Sequence, residues 1–223
     1  MHNSLMPGPV PGAIALIPVI ESEFNNWLEQ QNESLRGWLM TTGFKGKSGK
    51  FSLIPDADGS LQSVVVGIKN ADDLWALGGL PSVLPEGDYR LEADLTTAQR
   101  ERLTLGWALG AYRFTRYQTP KRAMARLALD PDGDQARIYR QIDAVQLVRD
   151  LINTPAEDLM PEHLAEAVQA VAQPFGATMT QIVGDQLLAD HFPLIHAVGR
   201  ASVHPPRLLD LRWGDPAHPK ATL

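Results

Sequence analysis

Between Val148 and Pro161 the chain reads Val-Arg-Asp-Leu-Ile-Asn-Thr-Pro-Ala-Glu-Asp-Leu-Met-Pro, and its two prolines restrict what can lie on either side. Proline has no backbone N–H, and its ring disfavours α conformation in the residue before it, so a helix arriving from the N-terminal side must stop ahead of Pro155. Pro161 suits the first position of a new helix, where the missing N–H would have had no partner. The stretch therefore reads as the end of one long helix, a stiff turn and the start of another. An α/β pattern able to close as a domain lies before it. A second α/β pattern begins after it, and the sequence reaches Leu223 before that pattern is expected to be complete. The expected organisation is an N-terminal α/β domain over residues 1–133, a linker helix and junction over 134–160, and the beginning of a second α/β domain over 161–223.

Taken in order, residues 1–12 carry Pro7, Pro9 and Pro11 and read as a loose leader. The continuous apolar run Ala13–Ile20 predicts a buried strand. Glu21–Leu39 reads as one helix capped by Ser22. Phe51–Ile54 and Leu61–Ile68 predict two strands joined by the turn chemistry of Asp56-Ala-Asp-Gly59. Asn70–Leu77 predicts a short helix with Asn70 as cap, and Asp88–Ala93 alternates as a strand does. Thr96–Tyr112 predicts a helix capped by Thr96 or Thr97, with Gly106 and Gly110 on one face, a spacing that favours packing of the helix on the sheet over approach to a ligand. Ala125–Asp130 predicts a strand and Asp134–Ile152 a long amphipathic helix. Beyond the junction, Leu164, Val168 and Val171 form the stripe of a further helix. Ala177–Val183, Leu194–Val198 and Arg207–Trp213 predict strands around a helical turn at Gly184–Asp190, and Lys220–Leu223 looks like the opening of another strand. Alternating elements of this kind predict an α/β fold with mixed sheets.

Composition narrows the function classes. Apolar residues make up 44% and charged residues 21%, the profile of a soluble globular chain. A formal net charge of -6 argues against nucleic acid as the main partner. There is no cysteine, hence no disulfide framework and no thiolate metal site. The apolar run Ala13–Ile20 is far too short to span a membrane and has no basic flank of the signal-peptide kind, so a cytoplasmic location is expected.

No motif supplies a complete active site from the residues alone. None of the six histidines forms the His-Glu-x-x-His spacing of a helix-borne metal site. His191 and His196 lie five apart across an expected turn and read as structural. The acidic clusters Asp56/Asp58, Asp72/Asp73 and Asp130/Asp132/Asp134 fall in turns and at helix starts, where carboxylates cap backbone N–H groups. No Gly-x-Ser-x-Gly elbow occurs, and Gly43-Phe-Lys-Gly-Lys-Ser48 lacks the first glycine of a phosphate loop. The basic run Arg113–Arg126, interleaved with Phe114 and Tyr117, suits a nucleic-acid or partner surface, but a solvated edge with its aromatics turned inward is favoured.

Three stretches resemble the leucyl aminopeptidase (cytosol aminopeptidase) family. They are Leu105-Gly-Trp-Ala-Leu-Gly-Ala-Tyr-Arg-Phe114, the Asp150-Leu-Ile-Asn-Thr-Pro155 junction with Glu157, Asp158 and Pro161, and Phe192–Ser202 with Pro206–Gly214. Met160 stands where many members have a capping threonine. The resemblance implies an N-terminal mixed-sheet domain, a linker helix, and the first helices and strands of an incomplete zinc-peptidase-like catalytic domain. It implies exopeptidases that remove N-terminal residues such as leucine from peptides, form hexamers, and use two divalent metals, zinc or manganese, to activate water. The family's metal-binding Gly-Lys-Gly…Phe-Asp…Gly-Gly and Asn-x-Asp-Ala-Glu-Gly-Arg motifs would follow Leu223. No catalytic, cofactor-binding or metal residue is therefore assigned in this chain, and the chain alone is expected to be inactive. The alternative is a non-catalytic assembly module or one that binds a ligand or partner.

Overall fold

A computed structural model describes residues 4–215 and 217. The chain separates into two compact units, Met1–Arg149 and Asp150–Leu223.

The first unit is built on a six-stranded sheet. Its strands are β1 (Leu5–Met6), β2 (Ile14–Ile20), β3 (Phe51–Pro55), β4 (Leu61–Ile68), β5 (Asp88–Leu91) and β6 (Arg126–Ala128), ordered β1-β6-β5-β2-β4-β3. All neighbours are parallel except the hairpin β3–β4. In that hairpin Asp56 N–H donates to Ser60 O at 2.7 Å, and Gly59 takes a φ of +84° that glycine adopts without strain.

Both faces of the sheet are covered, which explains the unbroken apolar runs of β2 and β4. Val64, Val66 and Ile68 of β4 join one core with Tyr89, Leu103, Trp107, Ile138 and Ile142. Val65, between them, faces a second core with Val19, Phe24, Leu39 and Ile54. The period-two alternation of a strand thus feeds two separate clusters. The first core is closed by α3 (Thr97–Gly110) and the early turns of α4 (Gln135–Asn153), the second by α1 (Phe24–Glu29) and α2 (Glu33–Thr41).

Pro18 lies inside central strand β2, where a proline would ordinarily remove a ladder bond. Here β5 pairs with β2 only as far as Leu16, whose carbonyl accepts from Glu92 N–H at 2.9 Å. Pro18 faces the same side two residues on, where β5 has already ended, so its missing N–H leaves no partner unpaired.

Several expectations are corrected. Residues 1–12 are not all loose: Leu5 and Met6 are buried and pair with Leu127 and Ala128, and Ser4 O accepts from the Trp107 indole N–H at 3.1 Å. Glu21–Leu39 is two helices, not one. The break comes at Asn32, whose side chain accepts from Leu35 N–H at 2.8 Å and starts a new helix. Ser22 lies within a short 3₁₀ turn, Glu21–Glu23, and makes no cap. Residues 70–77 form consecutive turns rather than a helix. Asn70 Oδ1 accepts from Asp72 N–H and Asp73 Oδ1 from Trp75 N–H, local bonds that compete with the helical ladder.

The second unit contains α5 (Pro161–Ala172), β7 (Thr178–Val183), α6 (Gln186–Ala189), α7 (Pro193–Gly199) and β8 (Arg207–Arg212). β7 and β8 pair antiparallel from Thr178↔Arg212 to Val183↔Arg207. Residues 194–198, expected as a strand, belong to helix α7. A short apolar run does not distinguish strand from buried helix, but Pro193 at the first turn and Gly199 at the end are helix punctuation. The start of α5 falls at Pro161 as expected. Met160 has no side-chain oxygen to cap the helix, but its N–H donates to His163 Nδ1 at 3.0 Å. The strand expected at 220–223 lies outside the described residues. No helix among the described residues is long and apolar enough to cross a membrane.

Candidate functional site

The candidates read from the sequence resolve into structural roles. His196 Nε2 donates to Asp185 Oδ1 at 3.0 Å, while His191 sits at a turn with φ +65°. Among the described residues no three His, Cys, Asp or Glu side chains come together as a metal ion requires. The acids cap turns. Asp58 Oδ1 accepts from Ser60 N–H, and hydrogen bonds from the Ser60 side chain and backbone hold its carboxyl below the usual range. Asp134 Oδ1 accepts from Arg137 N–H, and Asp130 Oδ1 from Asp132 N–H.

The basic run is a set of staples. Arg113 donates to Arg122 O at 3.0 Å, Arg122 donates to Ser82 O and Leu84 O, and Arg126 pairs with Asp88 at 2.6 Å. Phe114 and Tyr117 meet edge to face at 5.7 Å, with the Arg116 guanidinium over the Tyr117 ring. These cations fasten residues 113–126 onto residues 82–88, while Tyr117, expected to turn inward, is 53% exposed.

Gly106 and Gly110 do mark a close approach, though to a loop and not to a sheet. A Cβ on Gly106 would lie 1.6 Å from Leu74 O, and one on Gly110 would lie 1.9 Å from Gly78 O. Helix α3 thus rests on the carbonyls of the 71–80 turns, where only glycine fits.

What the sequence did not reveal lies in the second unit. An open groove of about 710 Å³ is lined by α5, α7 and the segment leading into β8, with Leu164, Leu194 and Val198 on its walls. At its edge His204 Nδ1 donates to Glu162 Oε1. The Glu162 carboxyl is held below its usual range first by its own backbone N–H, then by the hydrogen bond and charge of His204, against a contrary push from burial. Glu162 Oε2 and Arg207 Nε are buried and make no hydrogen bond, whereas Arg207 Nη1 donates to Gln181 Oε1 at 3.0 Å. Glu162 and His204 are 42 residues apart, and no spacing rule links them.

Comparison with known proteins gives this arrangement a family. Residues 14–130 match the model of the M17 aminopeptidase N-terminal domain, and residues 146–223 match the cytosol aminopeptidase family catalytic domain. A probable cytosol aminopeptidase of Leifsonia xyli subsp. xyli is 32% identical over 79% of this chain and 39% of its own length. A crystal structure of the cytosol aminopeptidase from Coxiella burnetii is 36% identical with a TM-score of 0.91, covering 97% of this chain and 48% of that one. The bottromycin maturation enzyme BotP in complex with Mn shares the fold at 23% identity and a TM-score of 0.69, over 91% of this chain and 45% of that one. The chain spans under half the length of each of these relatives. With an M17 N-terminal domain over more than half its length and the start of an M17 catalytic domain behind it, the chain belongs to the cytosol aminopeptidase family, M17.

Proposed function

We propose that this chain supplies the N-terminal domain and the opening of the catalytic domain of a leucyl-type aminopeptidase, which removes N-terminal residues from peptides by two-metal-assisted hydrolysis. The observation that carries this reading is the succession of the two M17 domain matches, 14–130 and 146–223, on one chain. On this reading residues 1–133 are the N-terminal domain, 134–160 the linker helix and junction, and 161–223 the catalytic-type segment. The enzyme is cytoplasmic and homo-oligomeric, a hexamer by family resemblance.

Two divalent ions, zinc or manganese, would polarise the peptide carbonyl and activate water in the complete enzyme. The described residues do not fit such a centre, since none of their carboxylates and imidazoles converge in the required number. No step of hydrolysis is assigned to a residue of this chain, and this reading takes the 223-residue chain to be inactive by itself. Leucyl-p-nitroanilide hydrolysis by the pure chain with added manganese or zinc tests this. Turnover at the rate of a complete family member would overturn the inactivity. Intact mass of the protein made from its own gene tests the parent reading: a mass near twice 24.5 kDa supports it, and 24.5 kDa counts against it.

A further inference from the structure

The six-stranded sheet of the first unit has two edges, and they are unlike. β1 is two residues long, whereas β3 presents five, Phe51–Pro55. A strand at a sheet edge offers a row of unpaired backbone groups on which another chain can be laid. Among the described residues no strand pairs with the outer side of β3, and Leu53 at its centre is 39% exposed. Lys50 O accepts from Gly67 N–H, and Asp56 N–H donates to Ser60 O, so the even-numbered positions turn their backbone groups inward to the hairpin. Antiparallel pairing alternates, so Phe51, Leu53 and Pro55 turn theirs outward.

Two of these three outward positions are closed. The indole Nε1 of Trp38, on α2, donates to Leu53 O at 3.0 Å. Pro55 has no N–H to offer, and a register shift at Ile54/Pro55 bends the strand's end. Trp38 is exposed and stands outside the core that holds Phe24, Leu39 and Ile54, so core packing does not dictate where its indole lies. The closure acts against one particular pairing. Two β3 strands laid antiparallel about Leu53 would each donate from residues 51, 53 and 55 to residues 55, 53 and 51 of the other. Proline removes the bond from residue 55, and Trp38 occupies the acceptor at residue 53. Only the bond from Phe51 N–H to Pro55 O is left on each side.

We infer that Trp38 guards this sheet edge: its indole N–H, together with Pro55, keeps β3 from pairing with β3 of a second copy of the chain. Without the indole donor the reciprocal Leu53–Leu53 bonds at the centre of the edge become available, and the exposed Leu53 side chains meet across them. The guard does not depend on the aminopeptidase reading, and its failure would leave that reading untouched.

The chain has no cysteine, so Leu53→Cys places its single thiol at the centre of the edge. A short bis-maleimide then reports edge-to-edge meetings separately from any other association of the chain. Val83→Cys, at an exposed position elsewhere in the first unit, is the control. With Trp38 in place, crosslinking through position 53 is expected to stay at the level of the control. Adding Trp38→Phe, which keeps a ring and removes the donor, is expected to raise it at least tenfold, and adding Pro55→Ala to raise it further, with the control unchanged. Equal crosslinking with and without Trp38→Phe would overturn the guard. So would a rise that the control shares, which marks general adhesion, and so would efficient crosslinking with Trp38 present, because the edge would then already be open. Circular dichroism accompanies each variant. Where Trp38→Phe loses the folded spectrum, Trp38→Met takes its place under the same crosslinking criterion. Loss of the fold in both overturns the guard, because the indole would then serve the stability of α2.

Discussion

The two units of this chain treat apolar surface in opposite ways. In the first, β4 sends Val64, Val66 and Ile68 to one core and Val65 to another, and each core is closed by helices. In the second, Leu194 and Val198 of α7 and Trp213 beyond β8 stand in the open. Both units have ordinary helix starts, strand pairing and turn glycines. Local structure and a closed core are therefore separate achievements: caps and prolines specify an element, but only facing partners bury it.

That contrast is most exposed to failure at Trp107. Its side chain is fully buried, packs against Tyr89 with ring centroids 6.1 Å apart and donates to Ser4 O. Trp107→Ala should cost the first unit about 3–5 kcal/mol, read as a lowered denaturation midpoint. Leu194→Ser, a comparable apolar deletion in the second unit, should change stability by less than about 0.5 kcal/mol. Equal costs would break the comparison.

Gly106→Ala comes next. The added Cβ meets Leu74 O, a backbone atom that cannot rotate away, so a loss of about 1–3 kcal/mol or more is expected despite alanine's better helix propensity. Gly37, on α2, has open space around its Cβ position. Gly37→Ala should instead stabilise by about 0.5–1 kcal/mol. Thermal melts of the two variants should move in opposite directions. A smaller effect is expected at Thr96, which forms a capping box with Gln99 at the start of α3. Thr96→Ala should cost about 1 kcal/mol.

The units should also differ in their response to pH. Burial raises the Tyr89 hydroxyl to about 12, against a smaller opposing pull from Arg122. A raised value in the folded state stabilises at pH below the unfolded value near 10, and that contribution is lost as pH rises from there towards 12. Glu162 is depressed below 4.5, so its contribution is present above that value and fades as pH falls through the lower folded value. Hydrogen exchange should show the first unit loosening on the alkaline side and α5 on the acid side. Tyr89→Phe should flatten the first response and Glu162→Gln the second. Unchanged pH profiles in these variants would remove both assignments.

Much of the first unit was legible because its signals are local. The apolar run of β2 and the Asp-Gly hairpin turn each identify an element within a few residues. The misreadings came where local and distant terms compete. Asn70 and Asp73 favoured turns over a helix through their own side chains, and Leu5 became a strand only because Leu127, far along the chain, pairs with it. Residues 194–198 carry apolar side chains compatible with either period, and Pro193 decided for helix. The junction at Asn153-Thr-Pro155 was visible from proline chemistry alone, whereas the meeting of Glu162 with His204 depends on tertiary placement that no local pattern encodes.

The pairing of β1 with β6 also sets a schedule. Leu5 leaves the ribosome well before its partner Leu127, which follows more than a hundred residues later. Until β6 has been synthesised, the buried side of Leu5 and the Trp107 indole that donates to Ser4 have no complete surroundings. The sheet consequently cannot close one strand at a time as it emerges. Its first strand must wait for its last, and during that interval the nascent chain exposes apolar surface for which a chaperone could compete.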